Sequence, residues 1–131
     1  MTTQSDAQAL ISGWQAGNVL APDCPSRPIL QHLTSRWGSL VMVALAVKPH
    51  RFSQLRRHIG GISERMLAQT LQELEADGFV LRTAHAVVPP HVDYELTALG
   101  HEAAGLVVGL VSWVENNLAQ VMAAKQAQVT A

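Results

Sequence analysis

A chain of 131 residues suits one domain with one core, and 48% hydrophobic content argues against disorder. The formal net charge is −1 with only 15% charged residues, which excludes a uniformly basic nucleic-acid binder and leaves that role to a local patch. A single cysteine, Cys24, excludes an internal disulfide framework and a cysteine-only metal centre.

Such a patch exists. Of the nine Lys and Arg, five fall between positions 48 and 65 (Lys48, Arg51, Arg56, Arg57 and Arg65), opposed there only by Glu64. Because charge fields in physiological salt decay over ~10 Å, the patch acts locally whatever the total.

In chain order, residues 1–22 read as a variable arm. Its start, Thr2 to Asp6, is polar and lacks the basic and apolar blocks of a signal peptide. A weak helix is expected around Gln8 to Gln15, ended by Gly17-Asn18. Pro22, Pro25 and Pro28 stiffen the entry to the next helix. Pro28 suits the first turn of that helix, whose apolar side is Ile29, Leu30 and Leu33. Arg36-Trp37-Gly38 is expected to separate it from Ser39 to Val47, which is apolar nearly all round and so reads as a buried central helix. Lys48-Pro49-His50 ends the central helix.

Phe52 to Ile59 is a short amphipathic helix, and Gly60-Gly61 breaks it. Ser63 is a natural N-cap for a second helix that stops at Gly78. At 100° per residue, Leu67, Leu71 and Leu74 share one face, while Arg65, Gln69 and Gln72 share the opposite one, continued by Ala76. One stripe packs and the other carries side chains that read base edges, Arg for guanine and Gln for adenine. Residues 79–83 and 92–96 then alternate as half-buried strands do, joined by a loop, Ala84 to His91, that Pro89-Pro90 stiffens. The order helix, turn, helix, ribbon is a mainly α fold with a small β-wing, a winged helix-turn-helix, and it implies binding of double-stranded DNA.

From Thr97 a single helix is expected to run to about Ala124, with apolar residues at spacings of three and four: Leu99, Ala103, Leu106, Val107, Leu110, Val114, Leu118 and Val121. About 27 helical residues extend ~40 Å, more than a domain of this size covers. The surplus apolar face, Leu106, Leu110 and Val114 with Ile29 and Leu33 of the early helix, is expected to form a homodimer interface. The chain therefore divides into the arm (1–22), the DNA-binding domain with its dimerisation helix (23–124) and a tail (125–131).

These residues resemble the HxlR-type family of winged helix-turn-helix bacterial transcriptional regulators over about positions 24 to 115. The resemblance is carried by Cys24-Pro25, Arg36-Trp37, Arg51-Phe52, Leu55-Arg56, Ile62-Ser63, Met66-Leu67, Leu71, Leu74-Glu75 and Asp77-Gly78. It continues through Pro89-Pro90, Val92, Tyr94, Leu96-Thr97 and Gly100. It implies a dimeric regulator whose terminal helices form the interface and, at Cys24, a sensor of electrophiles or oxidants. Arg36 stands where the family often has Lys, His91 where Arg is common, and Ala68 where a polar residue is frequent. With one cysteine, sensing has to end in a sulfenate, a mixed disulfide or a bridge to the partner's thiol.

On an arbitrary helix, Arg65, Gln69 and Gln72 would simply be solvated; the turn, cap and wing around them favour DNA contact. Arg51 and Ser53, at the positive end of the first motif helix, are expected on phosphate. Arg56, Arg57, Ser63, Arg82 and His91 complete the candidate DNA surface. Of the adjacent Arg56 and Arg57, one is expected on phosphate and the other in an ion pair with Glu73 or Glu75. Arg27 is expected to lower the Cys24 pKa. The six histidines lack close ligand spacing, so no metal site and no cofactor are expected. Trp37 and Trp113 read as core or interface residues. No nucleophile elbow, phosphate loop or carboxylate pair supports an enzyme. With no apolar run near the ~20 residues that span a bilayer, the expected location is the cytoplasm. Two alternatives remain beside the DNA-binding reading: a winged-helix module that binds another protein through its terminal helix, and a regulator holding a small-molecule effector at the dimer interface.

Overall fold

The structure is a computed structural model that describes residues 4–14 and 17–130. Among the described residues, seven helices and three strands succeed one another as α1 (Gln4–Ser12), α2 (Ser26–Thr34), α3 (Arg36–Val47), β1 (His50–Arg51), α4 (Phe52–His58), α5 (Glu64–Ala76), β2 (Val80–His85), β3 (His91–Leu96), α6 (Ala98–Asn116) and α7 (Leu118–Thr130). The mainly α architecture with a small wing is the expected one. The early helix α1 lies further toward the start than the sequence suggests, and it buries no residue.

Helix α3 is the centre. Ser35 caps it, its Oγ accepting the Gly38 N–H at 3.1 Å. The helix therefore starts at Arg36, and Arg36-Trp37-Gly38 is its first turn rather than a separator. Val41, Met42, Ala44 and Leu45 are buried against Leu55 of α4 and Ile59 just after it, Leu67, Leu71 and Leu74 of α5, Tyr94 and Leu96 of β3, and Ala104 and Val107 of α6. One apolar helix thus backs α2, α4, α5, α6 and β3, as its nearly all-round hydrophobicity requires.

The wing is a three-stranded antiparallel sheet in the order β1-β3-β2. Strand β1 has two residues, His50 and Arg51, paired with Tyr94 and Asp93. Pairing from Val80↔Leu96 to His85↔His91 carries the ribbon further out than the sequence suggests, so Ala84, His85 and His91 belong to the ladder. On β3, Tyr94 and Leu96 face the core, and Asp93 and Glu95 face away.

The last apolar stretch is two helices. The axes of α6 and α7 differ by 58°. Asn117 causes the break. Its N–H is shared between the carbonyls of Trp113 and Val114 at 3.0 and 3.3 Å, and its Nδ2 donates to Trp113 O at 2.8 Å. A side chain that competes for backbone acceptors ends a helix. Helix α7 then continues to Thr130, beyond the expected end near Ala124. Among the described residues no single helix is long and apolar enough to cross a membrane.

Helix α6 is fastened where α5 and the wing meet. Thr97 Oγ1 donates to Gly78 O at 2.6 Å and accepts the Gly100 N–H at 2.9 Å, and the Thr97 N–H bonds Phe79 O at 3.0 Å. Gly100 is required there, because a Cβ would stand 2.0 Å from Phe79 O.

Candidate nucleic-acid interface

The two motif helices are positioned by local chemistry. The Arg51 N–H donates to Gln54 Oε1 at 2.9 Å, which closes the start of α4, and Leu55 anchors the helix in the core. The turn between α4 and α5 passes through Gly61 at φ +85°, a conformation that glycine adopts without penalty. Ser63 Oγ then accepts the Met66 N–H at 3.1 Å and starts α5. At the far end, Gly78, also at φ +85°, donates its N–H to Glu75 O while the Phe79 N–H reaches Leu74 O, both at 3.0 Å. This Schellman closure satisfies the last carbonyls of α5.

The division of α5 is the expected one. Leu67, Leu71 and Leu74 are buried together with Thr70, and Arg65, Gln69 and Gln72 lie exposed on the opposite side. Gln69 Nε2 donates to Glu73 Oε1 at 3.1 Å, one turn further along the same helix. Ser63 is exposed, but its oxygen is engaged as a cap, so its first role is structural.

Two of the shallow depressions that border this helix are lined by candidate arginines. One, of about 400 Å³, is lined by Phe52, Ser53, Arg56, Arg57, Ile62 and Glu64, where α4 meets the start of α5. Both arginines line it, which corrects the expected division of labour between them. Among the described residues Glu73 meets an imidazole from α2 instead: His32 Nε2 lies 3.6 Å from Glu73 Oε2, and His32 Nδ1 lies 2.5 Å from Asp77 Oδ2. The other depression, of about 420 Å³, lies between α5 and the wing and is lined by Ala68, Leu71, Gln72, Glu75, Arg82 and Tyr94. Arg82 pairs in register with core-facing Tyr94, so it shares the α5 side of the ribbon. His91 occupies the other face, its ring stacked on His85 at 4.6 Å.

Cys24 is half-buried just before α2, and its Sγ lies 2.9 Å from Ser26 Oγ. The hydroxyl and backbone N–H of Ser26 lower the thiol pKa from its ordinary value, and Arg27 contributes least among the influences of its surroundings. Arg27 lowers the thiol pKa as expected, but only as the smallest influence. Its guanidinium is turned to the carbonyls of Val19 and Leu20, at 2.8 and 2.7 Å.

The apolar face expected at the dimer interface is open on the terminal helices. Leu106 is 80%, Leu110 55% and Val114 43% exposed, and Ile29 on α2 is 39% exposed. Trp113 and Leu118, both noted from sequence, and Met122, which was not, extend the exposed apolar surface of α6 and α7. Leu33 differs, since it packs on the chain's own core.

Residues 32–122 match the family model described as HxlR-like helix-turn-helix. The chain belongs to that family. The HTH-type transcriptional regulator YtfH of Escherichia coli (strain K12), itself uncharacterized, is 57% identical over 109 residues, covering 83% of this chain and 86% of the relative. The solved structure of ytfH from Salmonella typhimurium has a TM-score of 0.81 at 55% identity, covering 84% of this chain and 98% of that one. The redox regulator HypR in its oxidized form superposes with a TM-score of 0.66 at 35% identity, over 72% of this chain and 97% of HypR. As a member of the HxlR-like family the chain is a helix-turn-helix transcriptional regulator and not an enzyme.

Proposed function

We propose that this regulator binds a specific DNA operator as a homodimer in the cytoplasm, each α5 entering a major groove at half-sites about 34 Å apart. The observation that carries the reading is the outer face of α5. Arg65, Gln69 and Gln72 stand free of the core on a helix that is capped at both ends and buried along its other side. Arg51, Ser53, Arg56 and Arg57 are the phosphate contacts beside it. Their support is the depression at the start of α5, lined by three of them, and the concentration of positive charge between positions 48 and 65. Arg82 acts from the wing.

Dimerisation is supported by the exposed leucines of α6. Thiol sensing at Cys24 is supported by the lowered pKa, since the thiolate is the reactive species, and by likeness to a redox regulator.

The test is a footprint with reduced protein on DNA upstream of the protein's own gene and on a random duplex pool. Two spaced protected half-sites are expected, and oxidant is expected to remove them in the native chain but not in Cys24→Ser. Arg51→Ala should lower affinity for all sequences and reduce the salt slope by about one. Selection of no sequence by the intact dimer at low salt would overturn the reading and favour a protein partner on α6 and α7.

A further inference from the structure

The outward face of the wing gathers three metal-ligating side chains that the DNA-reading helix does not use. His85 and His91 are register partners at the last rung of the β2–β3 ladder. Asp93 lies two residues beyond His91, and in a strand that spacing puts both on one face.

Their donor atoms converge. His85 Nε2 lies 2.8 Å and His91 Nε2 3.8 Å from the same oxygen, Asp93 Oδ2, and one ligand atom from each residue falls within a 4.8 Å spread. A tetrahedral ion with nitrogen and oxygen ligands at ~2.0–2.2 Å holds those ligands about 3.3 Å apart. The gaps of 2.8 and 3.8 Å bracket that value. A lone His–Asp pair on an exposed ribbon is an ordinary surface pair of small worth. The second imidazole aimed at the same carboxylate oxygen is what sets this cluster apart. The stacked rings, 26° from parallel, hold both imidazoles at one side of the ribbon. The side chains are 38% (His85), 24% (His91) and 38% (Asp93) exposed, so an ion can reach them and keep a water as fourth ligand. Arg51 is aligned with Asp93 on the β1 side and is the neighbouring cation that an ion has to compete with.

We propose that His85, His91 and Asp93 bind one divalent ion of the class suited to imidazole and carboxylate, with Zn²⁺ foremost. The ion cross-links the outer ends of β2 and β3 next to the loop at 86–90. One carboxylate with two neutral imidazoles is anionic, and a divalent ion makes the site cationic. On the DNA-binding reading above, loading therefore draws the wing toward phosphate. Metal binding itself does not depend on that reading.

The test uses the full, metal-stripped chain without DNA, so its outcome is independent of operator binding. Co²⁺ is titrated while the visible bands of a four-coordinate site are monitored, and Zn²⁺ is then used to displace it. One equivalent per chain is expected. His91→Ala and Asp93→Asn should each weaken binding at least about tenfold, whereas His101→Ala on α6 should leave it unchanged. Histidine NMR of the native chain provides a second measurement that needs no variant: Zn²⁺ should move the resonances of His85 and His91 before those of the other histidines. No bands and no histidine shifts at one equivalent would overturn the proposal. Binding that survives both wing substitutions would overturn it equally.

Discussion

On α5 the inward leucines, Leu67, Leu71 and Leu74, are at most 2% exposed, and the outer face is polar. On α6, Leu106 and Leu110 are 80% and 55% exposed, beside Trp113 at 58%. Burying a leucine side chain fully is worth about 1.5–3 kcal/mol. One helix has collected that energy within its own chain, and the other leaves it uncollected along an exposed face. The first helix can then offer charge and hydrogen bonds to a polar partner, while the second can only be satisfied by apolar atoms.

The largest expected effect comes from breaking the second surface. Leu106→Asp together with Leu110→Asp should give a folded monomer by sedimentation, with operator affinity reduced about 10²-fold or more through loss of bivalency. A dimer that survives would move the interface elsewhere. Leu67→Ala attacks the first helix from within and should cost about 2–5 kcal/mol in urea unfolding, the usual loss for a fully buried leucine. Arg65→Ala leaves that packing intact. It should cost about 1–3 kcal/mol of operator affinity and relax preference at one base pair, read by competition with substituted operators. Smallest is Ser63→Ala. Loss of the cap should cost about 1 kcal/mol of stability without altering the salt dependence of DNA binding, and a changed salt slope would give Ser63 a phosphate contact instead.

The same contrast explains what the sequence could tell. The faces of α5 were legible because a 3.6-residue period survives in any context that buries one stripe. The end of α6 was not. Apolar spacing runs straight through Asn117, and only the hydrogen bonds of that asparagine interrupt the helix. Strand β1 was hidden because two residues carry no period and are strand only through their pairing with β3. The extent of the wing was hidden for a related reason: Ala84, His85 and His91 are in the ladder because each has a partner across it. That is also why ligand spacing along the chain passes over His85, His91 and Asp93, whose proximity is created by register. The Ser26 influence on Cys24 could have been noticed from a hydroxyl two residues away, whereas the turning of Arg27 to the arm carbonyls has no sequence signal.

The fastening at Thr97 has a mechanical consequence. A single threonine grips Gly78 and Gly100, and the absent side chain of Gly100 lets α6 sit directly on the Phe79 carbonyl. No slack linker separates α6, the helix proposed to face a second copy, from the helix that presents Arg65, so the joint is stiff in torsion. Turning α6 about its first turn drags Gly78 and Phe79 with it, and they are the closing residues of α5. In a pair of such chains, the pitch between the two reading heads is set by how the terminal helices cross.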